Sequence, residues 1–297
     1  MPQSQAIRRG ALVDIGGRRL RIVRAGPPKG SHDSPLCVLE HGAFGCASDW
    51  AVVQARLAAK GVRSLAYDRA GLGDSDPGPE PRDGRAIAAD LAALLAALNE
   101  TGPLVLVGHS MGGLMVRLEA LAWPERTLGV VLVDAVVPAI LDDPAGLKFV
   151  TAYVRAMRWV TLGARAGGMK LYAALAGDLI GLDPEASADK RRVYASRSHA
   201  LGAAAEVVQW PATSRDAARS AFARDLPIAV VAAGPTDGAR AKLKELQAGP
   251  AEASAHGYVE HVTDASHASL LGTRFADAIV RGVEHVLASR APAPPTL

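Results

Sequence analysis

The residues best able to do chemistry in this chain are a serine and a histidine set far apart in sequence. Ser110 stands in Gly108-His109-Ser110-Met111-Gly112, followed by Gly113. The apolar run Leu104–Val107 leads into this motif and a helix-like stretch from Met111 leads out of it. A serine on such a sharp strand-to-helix turn presents its Oγ over the sheet edge, provided that the residues two before and two after it are small. The hydroxyl is a poor nucleophile at neutral pH and needs a base within hydrogen-bond reach. Of the eight histidines, His267 is the expected base. It follows the strand-like stretch Tyr258–Val262 and precedes the last helix, in a strand-end loop of the kind where open α/β sheets bind ligands. His109 is expected to point away from Ser110. His41 lies in an upstream loop, His199 in an insertion and His285 late in the last helix. His256 and His261 are the local rivals, with His261 inside the strand.

An acyl-transfer reaction also needs backbone N–H donors aimed at the developing oxyanion. One is expected from Met111, at a helix N-terminus. The other is expected from the loop His41-Gly42-Ala43-Phe44-Gly45, which follows the apolar run Leu36–Leu39 and whose small residues allow close approach.

The elements that must hold these groups can be read from hydrophobic period. Ala11–Ile15 and Arg18–Val23 flank Gly16–Gly17 and predict a hairpin. Leu36–Leu39, Ser64–Tyr67, Leu104–Val107, Leu128–Val133 and Ile228–Ala232 read as strands covered on both faces. Between them, Ser48 is expected to cap a helix through Trp50, Val53 and Leu57 that stops at Gly61. Ile87, Leu91, Leu94, Leu95 and Leu98 mark a second helix, and Met111–Trp123 a third. This alternation implies a mostly parallel sheet with helices on both faces. From Pro138 to Asp225 the strand signal gives way to helix-like stretches such as Phe149–Val160 and Ala203–Trp210, read as a helical cap over the carboxyl edge of the sheet. Residues 1–137 and 226–288 are then the core, 138–225 the cap, and 289–297 a Pro/Ala-rich tail expected to be disordered.

Composition narrows the function. Hydrophobic residues make up 49% of the 297 and charged residues 21%, the balance of a globular protein. The net charge of +3 comes from scattered Lys and Arg and contains no basic block, so nucleic acid is not an expected partner. Cys37 and Cys46 make no disulfide framework and no metal or redox pair. No dinucleotide loop or metal cluster is seen, so no cofactor is expected. Met1 to Arg9 lacks the apolar stretch of a signal peptide and no run reaches membrane-spanning length, which makes a cytoplasmic enzyme the default expectation.

Taken together, these motifs and their order resemble the α/β-hydrolase superfamily, from the hairpin to the last helix. Tyr67-Asp68-Arg69-Ala70-Gly71-Leu72-Gly73-Asp74-Ser75 is similar to the D-R-x-G-x-G-x-S loop of its esterase-like members, where it supports the strand ends without taking part in catalysis. The resemblance implies a Ser-His-acid triad and assigns the second oxyanion donor to Ala43. It places the acid after the strand that follows the cap, often as G-x-x-D, which Gly234-Pro235-Thr236-Asp237 fits. A minority of members place it one strand earlier, at the position of Asp134. Asp237 is the expected acid and Asp134 the alternative, while Asp264 reads as a turn residue. A serine at the elbow argues against the dehalogenases and epoxide hydrolases of this superfamily, which use aspartate there. The expected reaction is hydrolysis of an ester-type bond in a small or medium apolar substrate. C–C bond hydrolysis and perhydrolysis through the same triad, or a non-catalytic ligand binder on this fold, are the alternatives. Trp159, Tyr153, Tyr172 and Trp210 in the cap are read either as pocket lining or as cap core.

Overall fold

The apolar runs assemble into one eight-stranded sheet of order β1-β2-β4-β3-β5-β6-β7-β8. The computed structural model describes residues 9–30 and 34–289. The strands are β1 (Ala11–Asp14), β2 (Arg19–Ala25), β3 (Leu36–Glu40), β4 (Arg63–Tyr67), β5 (Leu104–His109), β6 (Thr127–Val133), β7 (Ile228–Ala233) and β8 (Gly257–Val262). The first two form the expected hairpin, antiparallel to each other and, through β2, to β4. Gly16 and Gly17 take φ of 95° and 91° at its tip, where Asp14 Oδ1 accepts both of their N–H groups. From β4 to β8 every pairing is parallel. β3, β4, β5 and β7 are buried along their whole length, which is why they read as unbroken apolar runs. β8 at the far edge alternates between exposed and half-buried residues.

Among the described residues ten α-helices accompany the sheet: α1 (Ala51–Ala59), α2 (Gly84–Ala97), α3 (Gly112–Ala122), α4 (Pro144–Arg165), α5 (Met169–Leu175), α6 (Pro184–Tyr194), α7 (Arg197–Val208), α8 (Trp210–Ala217), α9 (Ala241–Glu252) and α10 (Ala276–Ser289). Alternate strand residues feed two separate cores. Leu36, Val38 and Leu106 pack with Leu91 and Leu94 of α2 and Leu114 of α3, whereas Cys37, Leu39 and Val107 pack with Val53 and Leu57 of α1 and Ile279 and Val283 of α10. The chain is thus a mostly parallel sheet covered on both faces, with a helical cap inserted between β6 and β7.

Two local readings are corrected. Ser48 does not cap α1. It lies in a 3-10 turn, Ala47–Trp50, and its Oγ reaches Asp189 of the cap. The helix α9 lies where the sequence predicted none, and it turns out to touch the site. The predicted tail begins at the end of α10, and residues 290–297 fall outside the described residues.

Candidate active site

Ser110 sits between β5 and α3 with φ of 54°, a left-handed conformation that is strained for any residue but glycine. The glycines around it are required by space. A Cβ on Gly108 would lie 2.6 Å from the Gly112 carbonyl oxygen, and one on Gly112 would lie 2.4 Å from that of Glu40. The turn is tied to the next strand, because the Ser110 N–H donates to the Val133 carbonyl at 3.1 Å and the Ser110 carbonyl accepts from Val136 at 2.8 Å.

That tie explains which carboxylate meets the histidine. β6 is the direct neighbour of β5, with Val133 opposite His109, so the first residue after β6 lies beside the serine turn. This residue is Asp134, and its Oδ2 accepts from His267 Nδ1 at 2.6 Å. Asp237, the acid expected from sequence, is not brought to the histidine. It is exposed at the start of a 3-10 turn, Gly238–Arg240, one strand further away. The Gly-Pro-Thr-Asp turn has the expected form but carries its carboxylate into solvent, while the earlier strand end supplies the partner. Asp264, read as a turn residue, is also exposed.

Asp134 is gripped from the other side as well. Its Oδ1 accepts from Lys244 Nζ at 2.6 Å and from the Ala233 N–H at 3.2 Å. Lys244 projects from α9, is buried, and donates also to Gln247 Oε1 at 2.9 Å. Gln247 in turn donates to the Ala135 carbonyl at 3.1 Å. Burial alone would raise the Asp134 carboxyl, but the hydrogen bonds and charges of His267 and Lys244 hold it well below the usual carboxylate range. These contacts favour the ionised carboxylate in the folded chain. Nothing in the sequence marks Lys244 as part of a site. Lys244, Gln247, Ala248 and Ala251 do share a helical face, but a lysine on such a face reads as solvated. Replacing Lys244 with methionine removes one partner of a buried ion pair, with an expected loss of about 3 kcal/mol in unfolding free energy. A urea unfolding curve of the variant beside that of the parent chain checks this.

The His267 side chain is 53% exposed and faces a cavity of about 210 Å³ that Ser110, Gly42 and Ala43 also line. His109 does not simply point away from this centre. Its Nε2–H donates to the His267 carbonyl at 3.0 Å, and its ring lies 4.6 Å from the His267 ring. Burial pushes His109 down to about 3, so it is a neutral support for the histidine loop. At the opposite wall of the cavity, Lys190 pairs with Asp49 and stands 4.7 Å from the centre of the Tyr194 ring.

The loop after β3 carries Ala43 next to Phe44, which adopts φ of 57°. Arg69 of the motif Tyr67–Ser75 holds this loop from beneath. The guanidinium is fully buried and donates to the carbonyls of His41 at 2.6 Å and Gly42 at 3.1 Å, while pairing with Glu40 at 2.6 Å and Glu206 of α7 at 2.7 Å. His199, also from α7, closes the same corner. Its Nε2–H donates to the Phe44 carbonyl at 3.2 Å, and its Nδ1 accepts the Gly73 N–H at 3.1 Å. Burial lowers His199 to about 4. Since the unfolded chain binds this proton near pH 6.5, stability is complete above that value and falls progressively as pH drops toward 4, by on the order of 3 kcal/mol. Urea unfolding at pH 7 and pH 4.5 should therefore show a smaller difference in His199→Gln than in the parent chain.

Of the four cap aromatics, Tyr153 and Tyr172 line a second cavity of about 390 Å³, together with Phe44, Met157, Val160 and Met169. Tyr172 also borders the Ser110 cavity, so the two adjoin. Trp210 is cap core, packed edge-on against Tyr153, and Trp159 belongs to neither, being 61% exposed.

The chain belongs to the alpha/beta hydrolase family, whose sequence profile matches residues 37–281. Among characterised relatives, a non-heme chloroperoxidase of Streptomyces lividans is 39% identical over 122 residues, 40% of this chain and 44% of that protein. An sn-1-specific diacylglycerol lipase, ABHD11 of Mus musculus, is 33% identical over 129 residues, 43% of this chain and 40% of that protein. These matches span less than half the length of either relative. Among solved structures, a thermophilic esterase from Thermogutta terrifontis superposes with a TM-score of 0.67 at 22% identity, covering 94% of this chain and 99% of that one. The epoxide hydrolase CorEH gives 0.70 at 20% identity, covering 94% and 99%. At these identities the likeness is one of fold.

Proposed function

We propose that this chain is a serine hydrolase that cleaves an ester-type acyl bond of a small or medium apolar substrate. The observation that carries the reading is the Asp134–His267 hydrogen bond at the mouth of a cavity that also exposes a left-handed Ser110. In this reading His267 Nε2 takes the Ser110 proton as Oγ attacks the substrate carbonyl, and Asp134 fixes the tautomer through Nδ1–H and stabilises the imidazolium. The backbone N–H groups of Met111 and Ala43 receive the oxyanion. Collapse of the tetrahedral intermediate transfers the proton to the leaving alkoxide and leaves an acyl-serine. Water, deprotonated by the same histidine, then releases the acid and restores the serine.

The relatives' names span a peroxidase and a lipase, so family membership does not choose the reaction. Serine at the nucleophile position favours acyl chemistry, and the apolar cavity behind Phe44 and Tyr172 suits the hydrocarbon part of an ester. A panel of p-nitrophenyl esters from acetate to dodecanoate tests this. Turnover is expected to peak at short or medium chains and fall at the longest. A folded protein inactive across the whole panel, and unlabelled by a fluorophosphonate probe, would favour the ligand-binder reading instead.

A further inference from the structure

The cap carries a surface that the catalytic reading does not use. Between Pro144 and Gly177, spanning α4 and α5, there are five basic residues, Lys148, Arg155, Arg158, Arg165 and Lys170, and no acidic one. The chain as a whole holds nearly equal numbers, 33 basic and 30 acidic residues, so this segment is a local segregation of charge. All five basic side chains are exposed, and among the described residues none of them is paired with a carboxylate. Interspersed with them are large apolar side chains left in solvent: Trp159, Leu162, Leu171 and Leu175 are 61%, 57%, 66% and 77% exposed. On α4 the positions Arg155, Arg158, Trp159, Leu162 and Arg165 recur at three- and four-residue spacing and share one face.

We propose that the α4–α5 face docks on the surface of an anionic lipid bilayer. A helix with cations and Trp or Leu together on its exposed side lies in the headgroup plane, where the rings and aliphatic groups enter the acyl boundary and the cations meet lipid phosphates. The charge pattern selects this occupant over a second copy of the chain. A two-fold contact through this face would set the arginines of α4 against their own equivalents. The contact is in-plane, because no described helix is long and apolar enough to cross a membrane. The cavity lined by Tyr153, Met157, Val160, Met169 and Tyr172 lies between the same two helices and adjoins the Ser110 cavity. If the hydrolase reading holds, the docked face presents that cavity to apolar esters dissolved in the bilayer, whereas docking itself is independent of that reading.

The test is co-sedimentation of the full chain with vesicles of phosphatidylcholine alone and of phosphatidylcholine mixed with phosphatidylglycerol. Binding is expected to the mixed vesicles, to weaken as salt rises, and to be the same for Ser110→Ala, which separates docking from catalysis. Arg155→Glu with Arg158→Glu should lower partitioning at least about 25-fold, from about fivefold per basic residue. Trp159→Ser with Leu162→Ser should lower it further than salt does, and the milder Arg155→Gln with Arg158→Gln replaces the charge reversal if that variant is not folded by circular dichroism. Absence of binding to the mixed vesicles, or binding indifferent to these substitutions, overturns the proposal. So does a dimer in sedimentation velocity that Trp159→Ser with Leu162→Ser dissolves while vesicles are ignored.

Discussion

Ser110→Ala is expected to lower kcat for p-nitrophenyl esters by roughly 10⁶, the scale of loss when the nucleophile of a serine triad is removed. Among the described residues Ser110 is the one serine or threonine lining the cavity that His267, Gly42 and Ala43 share, so under the proposed mechanism no acyl-enzyme is expected to form without it. A fluorophosphonate probe should label Ser110 in the parent chain and nothing in the variant. The backbone makes a second, independent statement. At φ of 54° alanine remains as strained as serine, whereas glycine does not. Ser110→Gly should therefore be inactive yet more stable than Ser110→Ala by about 1 kcal/mol in urea unfolding. Retained labelling at another serine in either variant, with turnover intact, would remove Ser110 from the mechanism.

The second large effect separates two aspartates. Asp134→Asn is expected to reduce kcat about 10⁴-fold, because an amide cannot fix the tautomer or stabilise the imidazolium as a carboxylate does. It should also destabilise the fold, since the buried Lys244 ammonium loses its counter-charge. Asp237→Asn should leave both rate and stability near those of the parent, since that side chain stands in solvent. Parent-like kcat in Asp134→Asn, with collapse in Asp237→Asn, would require the β7 loop to move to the histidine in solution.

These predictions show where local pattern stops informing. The geometry of the serine turn was legible because it is local: a strand, a turn flanked by glycines, and a helix occupy consecutive positions. The parallel sheet was legible for a similar reason, since doubly covered strands must be apolar throughout, as β3, β4, β5 and β7 are. The hairpin followed from two glycines that take the positive φ its tip requires. The His267 loop could be located because it lies between a strand pattern and a helix pattern.

What escaped the sequence depends on which strand ends are neighbours. Asp134 and Asp237 both follow apolar strands, and nothing local distinguishes them. The order β5-β6-β7 does, by setting the end of β6 against the serine turn and the Asp237 turn one strand beyond it. Lys244 gained its place in the same way: α9 packs where its lysine meets a carboxylate 110 residues earlier in the chain. Arg69 and His199 lock the Gly42 loop from opposite layers, one from the sheet edge and one from the cap. Residue type and short spacing therefore determined the serine turn, the candidate nucleophile it presents and the class of fold, because steric and periodic constraints act over a few residues. The choice of carboxylate, its buried cation and the clamp on the Gly42 loop were decided only by tertiary structure, because hydrogen bonds and ion pairs form between whatever groups the sheet order and cap bring within about 3 Å.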